Sequence, residues 1–339
     1  MSVRTRVVAS FALVMGIVLV AIPITTNLFS KASAVDDLTG DLRPVFTEAG
    51  LTQADSDMSA IEAMAAQLAN EAIPSLAEQF GTTPDAFAQQ LATDHPAVGA
   101  GMQQLGTSLP FFRGLVDGLR AQEGNFRLAD AIPTKDLPAI VVPFLFLVPG
   151  AVIVVVAALA LTGRRRRWVA PVALTIGAVL VIAPLVLGVP AKTQAVDDLT
   201  DAFRPAFTTE GLATTRGYLD TVTAMVDELV TDALPALADG LSMPLADFQA
   251  FLGEHFPDVA DGLAHIDEIL GRFDGLVTTM ESDATSFHRS DSIPTSGTPT
   301  TLLHWLFLVP GLVLALGAGG AMVTDRLAAR AAAPAPAPA

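Results

Sequence analysis

Residues 145–150 read Leu145-Phe146-Leu147-Val148-Pro149-Gly150, and 161 positions later the same six residues return as Leu306-Phe307-Leu308-Val309-Pro310-Gly311. Each copy lies in a run free of Asp, Glu, Lys and Arg, Ala139 to Thr162 and Leu302 to Val323. Two further uncharged runs, Val7 to Leu28 and Trp168 to Val189, complete a set of four. Each is long enough to cross ~30 Å of hydrocarbon as a helix, the conformation that satisfies every backbone hydrogen bond within one segment. An apolar content of 51% and a mean hydropathy of +0.51 agree, since both exceed what a water-soluble chain of this length carries. The chain therefore reads as an all-α integral membrane protein with four transmembrane helices, whose first partner is the lipid bilayer.

The 161-residue register extends outward from these copies. Ala34-Val35-Asp36-Asp37-Leu38-Thr39 returns as Ala195-Val196-Asp197-Asp198-Leu199-Thr200, Arg43-Pro44 as Arg204-Pro205, and Ile132-Pro133-Thr134 as Ile293-Pro294-Thr295. Within the apolar runs, Gly16 and Pro23 fall on Gly177 and Pro184. The reading is a tandem duplication of one unit: crossing, ectodomain, crossing. Each unit crosses twice, so both copies point the same way, and a pseudo-two-fold axis along the membrane normal is expected.

Charge sets the orientation. The ends and the central connection hold Arg4, Arg6, Arg164 to Arg167, Arg326 and Arg330 against Asp325 alone. Residues 31–138 carry 6 basic and 15 acidic side chains, and residues 191–302 carry 5 and 19. By the positive-inside rule the basic parts are cytoplasmic and the acidic ones outside. The expected order is a cytoplasmic N-terminus 1–6, crossing 7–28, helical ectodomain 29–138, crossing 139–162 and a basic cytoplasmic hairpin 163–167. The second half follows with crossing 168–189, helical ectodomain 190–301, crossing 302–323 and a cytoplasmic Ala/Pro tail 324–339. Arg4 and Arg6 ahead of an apolar stretch, with Ala32-Ser33-Ala34, also resemble a signal peptide. The length of the run, and its counterpart inside the chain, favour an anchor. The Arg- and Ala-rich composition points to a bacterial plasma membrane.

Each ectodomain carries helical stripes. Met58, Ile61, Met64 and Leu68 match Leu219, Val222, Met225 and Leu229, while Val98, Met102, Leu105, Leu109 and Phe112 match Val259, Leu263, Ile266, Leu270 and Phe273. One small bundle per ectodomain is expected, with Pro74 and Pro235 bending or stopping its first long helix and Pro84 and Pro244 starting a short one. Residues 33–47 and their copy are expected to form a helix that extends the first and third crossings continuously or caps them, and Ile132-Pro133-Thr134 to run extended back into lipid.

Few residues carry chemistry. The paired acids Asp36-Asp37 and Asp197-Asp198 offer oxygen ligands for a divalent cation or caps for a helix N-terminus. Arg43 and Arg204 offer a grip on an anion or an ion pair with the neighbouring aspartates. Gly311, Ala315 and Gly319 put small side chains on one helix face, which suits close packing within the chain or homo-oligomer formation through the membrane helices. There is no cysteine, no nucleophile elbow, no zinc-protease motif and no phosphate-binding glycine loop. No cofactor is expected, and acidity outside disfavours nucleic acid. The expectation is a non-enzymatic cell-envelope protein whose acidic helical ectodomains interact with a protein, a surface polymer or a small ligand. The alternatives are a sensor or regulatory subunit acting through a separate partner, and a component of a transporter or channel.

Overall fold

A computed structural model describes residues 3–162 and 168–331; the expected basic hairpin 163–167 and the end of the Ala/Pro tail, 332–339, lie outside the described residues. The described residues are helical, apart from turns, short irregular stretches and an isolated bridge between Thr134 and Leu137. The first half contains α1 (Val3–Thr25), α2 (Leu28–Leu42), α3 (Glu48–Gln67), α4 (Ile73–Gln79), α5 (Pro84–Asp94), α6 (Pro96–Asp130) and α7 (Val142–Leu161). The second contains α8 (Val169–Val186), α9 (Val189–Phe203), α10 (Thr209–Glu228), α11 (Leu234–Gly240), α12 (Leu245–His255), α13 (Pro257–Ser290) and α14 (Leu302–Ala331). Four segments are long and apolar enough to cross a membrane: Arg6–Thr25, Ala139–Leu161, Val169–Val186 and Leu302–Thr324.

The chain divides into two units, and each takes residues from both halves: 1–40, 124–201 and 285–339 in the first, 41–123 and 202–284 in the second. In the first unit α1 crosses α7, and α8 crosses α14, through glycine contacts. A Cβ on Gly16 would stand 3.0 Å from the Gly150 carbonyl oxygen, and one on Gly177 would stand 2.7 Å from both Gly311 O and Ala315 N. Backbone meets backbone at these points. Between helices bathed in lipid that is how packing energy is gained, because water expulsion no longer distinguishes inside from outside. Branched residues such as Val14, Ile17, Val155, Ile182 and Leu316 face outward, as lipid-facing positions should. Phe146 and Phe307, both fully buried, stack with ring centroids 3.8 Å apart.

Two expectations are corrected in this unit. The first and third crossings do not run on unbroken: Asn27 and Gly188 adopt φ of +53° and +66°, and new helices start at Leu28 and Val189. Glycine reaches that left-handed region freely and asparagine more readily than most residues, so both positions interrupt the helix. The Ile132-Pro133-Thr134 and Ile293-Pro294-Thr295 segments are turns with cis peptide bonds rather than extended linkers. They close with Leu137 N–H donating to Thr134 O and Thr298 N–H donating to Thr295 O.

In the second unit the expected separate bundles are replaced by shared cores. Met58, Ile61 and Met64 of α3, with Phe112 and Val116 of α6, pack against Leu219, Val222 and Met225 of α10 and Ile266, Phe273 and Val277 of α13. Neither half has a second apolar layer of its own, so each buries its stripe on the other. The helix ends are also shared. Gln67 Oε1 accepts the N–H groups of Asp258 and Val259 at the start of α13, and Glu228 accepts that of Val98 at the start of α6. Pro74 and Pro235 follow π-helical turns, Leu68–Ala72 and Leu229–Ala233, because a proline ring crowds the carbonyl one turn back.

Polar pairs distinguish the halves. Asp57, 4% exposed, takes a two-pronged ion pair from Arg272 at 2.6 and 2.7 Å. At the positions 161 away stand Tyr218 and Phe111, and these two rings meet edge to face at 5.2 Å. On the surface, Arg113 pairs with Asp55, and at the corresponding positions Asp274 pairs with Arg216 with the charges exchanged.

Candidate ligand cavity

The first unit contains an apolar cavity of about 130 Å³. Its deep wall is built by Val179, Leu180, Ala183 and Pro184 of α8, Leu145 and Pro149 of α7, and Phe307 of α14. Nearer its other end are Leu28, Ala32 and Val35 of α2, Lys192, Thr193 and Val196 of α9, and the two Ile-Pro turns at Ile132-Pro133 and Ile293. An apolar space of this size stays dry and takes a benzene-sized group. Val179, Ala183 and Leu187 also line a shallow groove on the outer face of α8, so cavity and groove share a wall. The outward side chains of that helix, Val179, Ile182 and Leu185, are more than half exposed, an apolar face suited to lipid.

Lysines hold the turns at the cavity's shallow end. Lys192 Nζ donates to Ala131 O and Pro133 O at 2.8 and 2.9 Å, and Lys31 Nζ donates to Ser292 O and Pro294 O, both at 2.8 Å. Each half thus supplies an ammonium to the Ile-Pro turn of the other. Burial pushes both ammonium pKa values down, and among the described residues no carboxylate pairs with either. Each ammonium spends two of its three N–H groups on these carbonyls. Lys192 lines the cavity; Lys31 does not.

Of the residues singled out in the sequence, Asp36 and Asp197 act as caps. Asp36 accepts the N–H groups of Ala139 and Ile140 at 2.6 and 3.1 Å, and Asp197 those of Thr300 and Thr301 at the same distances. Both carboxylate oxygens are therefore spent on the chain's return toward its second and fourth crossings, where a negative charge also suits a helix start. Asp37, Asp198, Arg43 and Arg204 are exposed and do not line the cavity. Among the described residues no three His, Cys, Asp or Glu side chains are grouped to hold a metal. Gly311 and Ala315 lie in the crossing with Gly177, whereas Gly319 sits at its edge, where a Cβ would meet Leu174 at 3.9 Å.

Sequence reasoning passed over Lys31, Lys192 and the cavity. A signal existed: two of the chain's three lysines stand 161 apart, each directly after a crossing. No protein-family model matches the chain, and no curated protein matches it either.

Proposed function

We propose that the chain is a tandemly duplicated protein of the bacterial plasma membrane that acts by binding rather than catalysis. Its ligand, on this reading, is an apolar molecule taken from the bilayer. The 130 Å³ apolar cavity, one helix wall away from the outward-facing groove on α8, carries the proposal. A space that lies among the crossings and is walled almost wholly by hydrocarbon selects an apolar occupant. The basic ends and connection support cytoplasmic termini, with both acidic loops outside. That orientation puts the cavity at the outer end of the crossings. Partners 161 apart that touch each other, Phe146 with Phe307 and Phe112 with Phe273, support a pseudo-two-fold relation in each unit. In the membrane unit the axis would follow the bilayer normal, as expected for parallel repeats.

The test is photolabelling of the full chain in vesicles with a lipid carrying a diazirine near the end of its acyl chain. Adducts are expected on Val179–Leu187 and on Leu145 to Pro149. Labelling spread evenly over outward residues such as Val14 and Leu316 would overturn the proposal.

A further inference from the structure

We infer that the end of the second unit built from α4, α5, α11 and α12 is a docking surface for a basic, apolar-tipped segment of another protein, a role separate from the cavity. Charge is segregated along this unit. Residues 44–112 and 217–271 carry 8 and 11 acidic side chains and no lysine or arginine. Arg113, Arg216 and Arg272, which bound these stretches, are spent within the fold: Arg113 on Asp55 and Glu62, Arg216 on Asp274 and Glu281, Arg272 on Asp57 and Glu268. Two of the acids left over stand where the fold disfavours them. Glu78 and Asp239, 161 residues apart and both exposed, lie in the last turns of the helical runs that begin with α3 and α10. Unsatisfied carbonyls make that end of a helix unfavourable for a negative charge. A placement that costs stability in both halves is explained by a use outside the fold.

Beside these acids the surface is apolar. Both runs end in the same closed turn, with Gly81 and Ser242 left-handed, Thr82 N–H donating to Ala77 O and Met243 N–H donating to Ala238 O. The first turn presents Phe80, 37% exposed, and the second leads directly to Leu245, 39% exposed. The turns adjoin, since a Cβ on Gly240 would stand 2.8 Å from the Phe80 ring. Exposed Asp85 and Asp247 follow in the first turns of α5 and α12. Apolar side chains on fixed turns, flanked by carboxylates that no described lysine or arginine meets, complement a segment of the opposite kind: lysine or arginine around an aromatic or aliphatic tip. Because the turns are already closed, docking orders little of this chain, and the charge selects the partner. A metal ion fits less well, since among the described residues no three acids are grouped to hold one.

The experiment is fluorescence anisotropy of dye-labelled pentapeptides with the full chain in phosphatidylcholine nanodiscs, the signal from empty nanodiscs being subtracted. The probes are Lys-Lys-Phe-Lys-Lys, Lys-Lys-Ala-Lys-Lys and Glu-Glu-Phe-Glu-Glu. The first is expected to bind about tenfold more tightly than the second, the worth of burying the ring, and the third not to bind. Phe80→Ser should remove the preference for the phenylalanine probe, and Leu245→Ser, which leaves the contact with Gly240 alone, should reduce it. Glu78→Gln with Asp239→Asn should weaken both lysine probes about fivefold. Glu48→Gln with Glu210→Gln removes the same charge from the starts of α3 and α10, about thirty residues back along the same runs, and should change binding by less than about twofold because salt screens so distant a charge. Equal affinity for the two lysine probes overturns the proposal, as does binding of the glutamate probe. Equal weakening by the two double variants, each folded by its melting profile, would make binding a response to net charge and overturn it too.

Discussion

A buried aspartate explains why the second unit's halves are not interchangeable. Asp57 is nearly inaccessible, and its charge is met by Arg272 from the other half. Removing one partner of such a pair leaves an uncompensated charge, so Arg272→Met is expected to lower unfolding stability by about 3 kcal/mol. The positions 161 away suggest a remedy. Tyr218 and Phe111 fill the corresponding places with touching rings, so the double change Asp57→Tyr with Arg272→Phe should recover most of the loss. Denaturant unfolding of the single and double variants checks this, and a double variant as unstable as the sum of its parts would contradict it. Little of this was legible beforehand. A repeat shows which positions correspond, not which ones touch, and Asp57 has no special look among 15 acidic residues of its segment. Asp36 and Asp197 were readable as possible helix caps, but the N–H groups that they accept lie 103 and 104 residues further on, where no local pattern points. The lysines showed only in their 161-residue spacing, because their partners are backbone carbonyls, which carry no sequence signature.

Helices were the readable level. Uncharged runs locate the four crossings to within a few residues, because hydropathy over some twenty positions averages out local detail. Breaks are different: Asn27 and Gly188 each interrupt a helix through one residue's φ, and a single left-handed residue makes no periodic signal. Packing was half legible. The Gly311, Ala315, Gly319 series finds the right face of α14, but the tight contact lies at Gly311 and Ala315, against Gly177. Gly177→Leu would drive a side chain into the backbone of Gly311 and Ala315, which cannot swing aside. We expect it to cost about 2–3 kcal/mol, the range for overpacking an already filled contact. Gly319→Leu, with only Leu174 at 3.9 Å, should cost no more than about 0.5 kcal/mol. Thermal melting in detergent distinguishes the two, and equal losses would show that the crossing is looser than the geometry requires.

At the scale of the molecule, each half lacks what the other provides. The apolar stripes of α3 and α6 need those of α10 and α13, and the Ile-Pro turn of each half needs the other's lysine. The cavity also takes its walls from both halves, α2 and α7 from the first and α8, α9 and α14 from the second. A first half paired with itself would set Asp57 against Phe111, burying a charge with no cation opposite and only the neutral amide of Gln53 to bond it. The most direct test of this account is to split the chain within its arginine run, express residues 1–165 and 166–339 together and weigh the product by native mass spectrometry. The account predicts a one-to-one complex, with the first half insoluble or aggregated when expressed alone. Two halves that are separately stable as monomers would contradict it.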